Sequence, residues 1–378
     1  MNYENYGFTK DDTLIAKGVA IILMYIHHLF YFDDRITGGN YYNSMGNLWG
    51  AKAEIFFGSF GKLCVCMFIF LSGYATYKTF ISKGRSFQFI NHKIIKFYKL
   101  YLIVFAIFVP MGYFLKKLNF GIYEFVNNLL LLKSSYNWEW WFARPFIVLM
   151  FLFPIVIRAF EKTDNRSDNK KNKDVLAIDV IKIICTAIVV TTILPYILKI
   201  DFFEPFRKTQ YYTILVETLG LLPGFLSGYV FAKYDLFEKY NALLKNNLVN
   251  TIVSIFAVVA VFDLRCKTGV DMDYDYLYVP IFIISCTSLI NRVSYIKSVA
   301  VSIGRLSTYM WLIHTFFCYY YFQSFIFLSH NPIIIVCWLL IVTYSASFVI
   351  DKSVKLAERT VKNGLKEKSL VTSFTNML

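Results

Sequence analysis

Apolar residues in this chain are grouped into long blocks separated by short polar stretches, with no sustained two-residue alternation that would indicate half-buried strands. The blocks fall at 14–32, 55–80, 97–115, 140–158, 176–198, 211–232, 248–264, 276–290, 305–327 and 332–352. A helix needs roughly 20 apolar residues to cross about 30 Å of hydrocarbon, and only a helix satisfies its own backbone there. The pattern therefore predicts an all-α, polytopic integral membrane protein with a bundle of about ten transmembrane helices. Segment 122–132 is too short to cross and is expected to be re-entrant or interfacial. A single transmembrane domain is expected to fill 1–378, with its core at about 12–355. A hydrophilic cytoplasmic loop at 159–175 divides it roughly in half, and a basic cytoplasmic tail at 353–378 follows the last span.

Composition agrees: 57% of the residues are hydrophobic and 17% charged, against about 25% charged in an average soluble domain. Mean hydropathy is +0.50. The net charge of +14 would suit a nucleic-acid partner, but its distribution excludes one. With the N-terminus inside, 25 Lys and Arg fall in inner segments and 11 in outer ones, the bias that orients membrane proteins. Both termini are thus expected in the cytoplasm, with the lipid bilayer as the partner of the whole surface. The basic tail is expected to lie along anionic lipid or to be solvated. Seven cysteines, six of them in apolar blocks, make no disulfide framework. The Cys64–Cys66 spacing is not a zinc pattern, so no metal site is expected. The polar, acidic N-terminus reads as preceding an uncleaved anchor.

Ionisable groups inside spans are costly and mark function by default. The first block holds His27 and His28 near its far end and Lys17 near its start. On a helix, Lys17 and His28 lie about three turns apart, a rise of roughly 16 Å, on nearly one face. A partly desolvated imidazole suits a general base that activates a hydroxyl; an interfacial histidine bonded to a neighbouring helix is the structural alternative. His314, in a late span, is a second intramembrane histidine, either lining the same cavity or bonded in the core.

Lys93 and Lys96 are three apart, hence neighbours on a helix surface facing the cytoplasm. They could grip a phosphorylated donor or simply anchor the helix. Ser72-Gly73 allows close helix approach, with Ser72 also a candidate for a pore contact. Phe-Leu-Ser-Gly-Tyr occurs twice, at Phe70–Tyr74 and Phe225–Tyr229, a faint internal repeat. Trp138, Trp140 and Trp141 suggest an outer aromatic belt. Arg144 is read as facing an acceptor or an oxyanion, or as reaching for the surface. Glu217 and Lys182 also lie within spans, and no spacing links them.

Taken in order, these segments resemble the membrane-bound acyltransferase-3 family of bacterial O-acyltransferases. The match rests on Lys17, ten intervening residues and His28; on the second-span segment ending at Tyr74; and on Lys93 and Lys96 followed by Tyr98 and Tyr101. It continues through Trp141-Phe142 with Pro154 downstream, and Ser307–His314 with Tyr309 and Leu312 between. It covers about residues 12–350. Lysine stands at 17, 93 and 96 where the family has arginine, which keeps the charge and loses the bidentate fork. The resemblance implies transfer of an acyl group, usually acetyl from acetyl-CoA, to an extracytoplasmic or lipid-linked glycan hydroxyl. His28 would be the catalytic histidine, with His27 and His314 as the other candidates, and Lys17, Lys93 and Lys96 would contact the donor. Ser72, Tyr74, Trp141 and Arg144 are the candidate pore or acceptor contacts. Acetyl-CoA or another acyl-CoA would be a donor substrate, with no tightly bound cofactor. The expected setting is the bacterial cytoplasmic (inner) membrane, with glycan-synthesis proteins as partners. The competing reading is a polysaccharide or lipid-linked sugar exporter without acyl transfer; a structural partner in an envelope complex is the third.

Overall fold

The computed structural model describes residues 7–161, 169–268 and 274–375. Helix α1 (Lys10–Phe30) starts on a capping box: the Thr9 hydroxyl accepts the Asp12 N–H at 3.1 Å, and the Asp12 carboxylate accepts the Thr9 N–H at 2.8 Å. After α1 the chain makes a single 3-10 turn, Asp33–Arg35, and a two-stranded hairpin pairing Asn47–Leu48 with Ala51–Lys52. Its loop residues Trp49 and Gly50 both have positive φ, as the twist of a two-residue hairpin requires. Helices α2 (Ala53–Gly61) and α3 (Leu63–Ser82) follow as one apolar stretch, then α4 (Phe89–Phe114) and α5 (Ile122–Leu129). The remaining long helices are α6 (Ala143–Glu161), α7 (Asn169–Ile188), α8 (Gln210–Lys233), α9 (Asn247–Thr268), α10 (Asp275–Ile290), α11 (Ser294–Thr315) and α12 (Pro332–Thr375).

Among the described residues, eight helical stretches are long and apolar enough to cross a membrane, and the protein is an all-α polytopic membrane protein. The two expected spans outside those eight have physical reasons. Helix α10 has only 16 residues. Helix α11 carries Lys297, Arg305 and His314, yet it packs against α1, α4 and α12, so much of its surface meets protein. At eight residues, about 12 Å, α5 is too short to span. Helix α12 has 44 residues, about 66 Å, so it runs well beyond one hydrocarbon thickness, and Lys99, about three turns into α4, pairs with its Glu358. Part of the expected 159–175 loop and the end of the 353–378 tail lie outside the described residues.

The core is organised by close helix crossings. A Cβ on Gly18 of α1 would stand 2.3 Å from the Ala300 carbonyl oxygen, and one on Gly304 of α11 would stand 2.0 Å from that of Leu14. The contact between α3 and α8 is reciprocal in the same way: Gly73 faces the Phe225 carbonyl and Gly228 that of Phe70. The two Phe-Leu-Ser-Gly-Tyr segments are therefore the two halves of one crossing. Small residues bring backbones together where lipid offers no hydrophobic drive between helices.

Candidate active site

Helix α1 and helix α11 cross closely at Gly18 and Gly304, and residues of both, together with residues of α3, α4 and the segment leading into α6, line a cavity of about 230 Å³. Its lining includes Lys17 and Lys93 at one end and His28 and Glu139 at the other, with Ser72 and Trp141 between. Lys17 and His28 share one face of α1, so the cavity extends over about 16 Å of helix rise. At the lysine end, the Lys93 Nζ donates to the Thr76 hydroxyl at 2.8 Å. Lys96, one turn further along α4, is exposed and outside the lining.

At the histidine end, His28 Nδ1 lies 3.9 Å from the Glu139 Oε1 and 3.5 Å from the Tyr319 hydroxyl. Tyr319 also donates to the His28 carbonyl oxygen. Glu139 is only 4% exposed and carries Arg35 on the same oxygen at 2.7 Å, while the Tyr320 hydroxyl donates to its other oxygen at 3.2 Å. Arg35 lies beyond the end of α1. Burial acts against its charge, and the Glu139 carboxylate outweighs that and holds the guanidinium above its ordinary range.

The aim of Glu139 is set by the single 3-10 turn Trp138–Phe142 that precedes α6. Asn137 caps this turn by accepting the Glu139 N–H at 3.1 Å, and its oxygen also accepts the Thr315 hydroxyl at 3.0 Å. The buried Trp140 indole donates to the Leu312 carbonyl at 3.0 Å. The turn is thus pinned to α11, and Glu139 points at His28.

His314 stands on the same side. Its ring centroid is 5.0 Å from that of His28 and 5.3 Å from that of Tyr25, which stacks on it. Its Nδ1 faces the Trp311 carbonyl at 2.6 Å, so Nδ1 carries the hydrogen and Nε2 is an acceptor. That Nε2 is buried without a hydrogen-bond partner among the described residues, which is rare enough to ask for an explanation.

The sequence-derived candidates divide cleanly. Lys17, His28, Ser72, Lys93 and Trp141 line the cavity, and His314 borders it. His27 does not: its Nδ1 donates to the Gly58 carbonyl at 2.7 Å, against α2. Tyr74 is corrected as a pore contact, because its ring packs on Phe8 and Phe237 away from the cavity. Arg144 is corrected too, since it grips Glu217 through two contacts of 2.7 and 3.2 Å, both partners largely buried. Glu217 and Lys182 make no pair with each other; Lys182 sits on Asp179 at 3.2 Å. The tryptophan belt reduces to the exposed Trp138, since Trp140 is buried and Trp141 faces the cavity.

Glu139, Arg35 and Tyr319 escaped the sequence reading. An acidic residue inside Trp-Glu-Trp-Trp at the start of a span was a usable signal, because a carboxylate there is expensive. Arg35 and Tyr319 carried none. Among the described residues, no group of three or more His, Cys, Asp or Glu side chains is arranged to hold a metal ion.

A family model for an acyltransferase domain, Acyl_transf_3, matches residues 15–352. The chain belongs to that family, and it is an acyltransferase built as a multi-pass membrane protein. No curated protein and no solved structure matches it.

Proposed function

We propose that this protein is a membrane-bound O-acyltransferase that moves an acyl group, acetyl from acetyl-CoA, from the cytoplasmic side to a hydroxyl of a glycan on the other side. The observation that carries the reading is a single cavity holding Lys17 and Lys93 at one end and His28 with Glu139 at the other. The lysines lie toward the segments that the charge bias assigns to the cytoplasm, where they would attract the donor's phosphates as point charges. The donor's flexible arm would run along α1, bringing its thioester to His28.

The reaction balances on one base. Neutral His28 takes the proton of the acceptor hydroxyl as that oxygen attacks the thioester carbonyl. The new C–O bond forms, the C–S bond breaks, and the proton passes from His28 to the departing thiolate. With Nδ1 turned toward Glu139, Nε2 is the nitrogen that does this work. Glu139 stabilises the imidazolium that forms, while Arg35 and Tyr320 hold the carboxylate in place. The open Nε2 of His314 offers a second acceptor beside the reacting hydroxyl.

The test is His28→Ala in full-length protein, scored by base-released acetate from intact cell surfaces and by expression level. Loss of surface acetylation at normal expression is the expected result. Unchanged acetylation would remove His28 from the chemistry. Substrate flux that needs no acyl-CoA would favour the exporter instead.

A further inference from the structure

A second recess, of about 360 Å³, lies beyond the histidine end of the cavity. Three chain segments build it: the loop after α1, the loop after α4, and the turn that follows α11. Thr37, Asn40, Lys117 and Ser324 are among its polar lining residues, and Tyr319 and Tyr320 are among its aromatic ones. None of these residues was singled out in the sequence.

The recess is held together by a side chain that has no capacity left over. The Gln323 oxygen accepts the Thr37 N–H at 2.9 Å and its hydroxyl at 3.2 Å. The Gln323 amide nitrogen donates to the Arg35 carbonyl at 2.8 Å and to the Cys318 carbonyl at 2.9 Å. One glutamine thus clips the loop after α1 to the turn after α11, and fixes the backbone of the residue that grips Glu139.

Tyr319 and Tyr320 belong to both compartments. Both residues line the recess, while their hydroxyls sit on the catalytic cluster. Tyr319 bonds the His28 carbonyl, and Tyr320 donates to Glu139 and accepts the Trp138 N–H at 3.1 Å. Recess and cavity are therefore separated by one layer of side chains. That layer is carried on a π-helical turn, Phe316–Tyr320, a distortion that recurs at functional sites because it departs from the regular ladder.

We infer that this recess binds the acceptor sugar, and that Tyr319 and Tyr320 are the partition the acceptor hydroxyl passes to reach His28. The inference rests on the acyl-transfer reading above. A sugar unit presents C–H faces and a rim of hydroxyls, and the recess answers with aromatic rings and with hydroxyl, amide and ammonium groups. Among the described residues, its lining holds no carboxylate.

The test uses full-length protein with Ser324→Cys, treated on intact cells with a membrane-impermeant methanethiosulfonate. Unsubstituted protein under the same reagent controls for Cys185 and Cys337, which are exposed. Ser324→Trp, which fills the recess without a reagent, is the second variant. Two quantities are read: base-released acetate from the cell surface, and equilibrium binding of radiolabelled acetyl-CoA to protein in nanodiscs. Surface acetylation should fall at least tenfold in both variants while acetyl-CoA binding stays unchanged. A Ser324→Cys protein that is labelled, or a Ser324→Trp protein that is folded, overturns the assignment if it retains full acetylation. Equal loss of acetyl-CoA binding overturns it as well, since the recess would then serve the donor. Failure of the acyl-transfer reading is separate: it appears as equal base-released acetate from cells with the unsubstituted protein and cells lacking it.

Discussion

His27 and His28 are adjacent in sequence and sit in two different molecular environments. Successive residues on a helix are turned by about 100°, so one ring enters the seam between α1 and α2 and the other enters the cavity. His27 donates to a backbone carbonyl. Gly61, whose Cβ would lie 2.3 Å from the Leu23 carbonyl and 3.0 Å from the His27 Cβ, lets α2 lie against it. His28 instead faces a carboxylate, a tyrosine hydroxyl and a second histidine. The same side chain is a packing element on one side of α1 and a candidate base on the other. Composition cannot separate the two; neighbours do.

The contrast breaks most sharply with paired substitutions. His28→Gln should lower acyl transfer by about 10²–10⁴-fold, the range of a general base, with unchanged expression and melting temperature. His27→Gln should leave the turnover of the folded fraction within a few-fold and lower thermal stability instead. Equal losses of turnover in both would erase the distinction. Glu139→Gln keeps the shape and removes the charge that faces His28. The carboxylate stands at ion-pair distance, 3.9 Å from His28 Nδ1, and removing its charge should leave kcat about 10–100-fold lower with KM for acyl-CoA unchanged, measured in nanodiscs. Loss of folding in place of that kcat effect would make Glu139 a structural residue.

Gly61→Ala tests the packed side alone. Overpacking of this kind costs about 1–3 kcal/mol, read as a lower unfolding midpoint with turnover kept in the surviving protein. The smallest effect is expected at the lysine end: Lys17→Ala and Lys93→Ala should each raise KM for acyl-CoA several-fold without moving kcat, the pattern of uniform binding lost. A change in kcat alone would contradict a donor-side role.

Much of the architecture was legible because its physics is local. A block of some 20 apolar residues must be a helix in lipid, and that reasoning located ten helices from their hydropathy. The alignment of Lys17 with His28 was legible for the same reason, since both lie on one helix. It failed for Arg144 and Tyr74, whose partners Glu217 and Phe237 are far off in sequence. It was silent on Arg35 and Tyr319, which become notable only because loop and turn are folded over the end of α1.

What the sequence determined by itself was the helical, membrane-crossing class and the candidate residues that share one helix. Both follow from backbone hydrogen bonding and from the 3.6-residue repeat, which act along a single segment. Only the tertiary structure decided that Glu139 faces His28, that His27 turns away, and that the two Phe-Leu-Ser-Gly-Tyr segments meet. Those outcomes depend on which helices approach closely at Gly18, Gly73, Gly228 and Gly304, and contacts between distant segments are written in no single stretch of the chain.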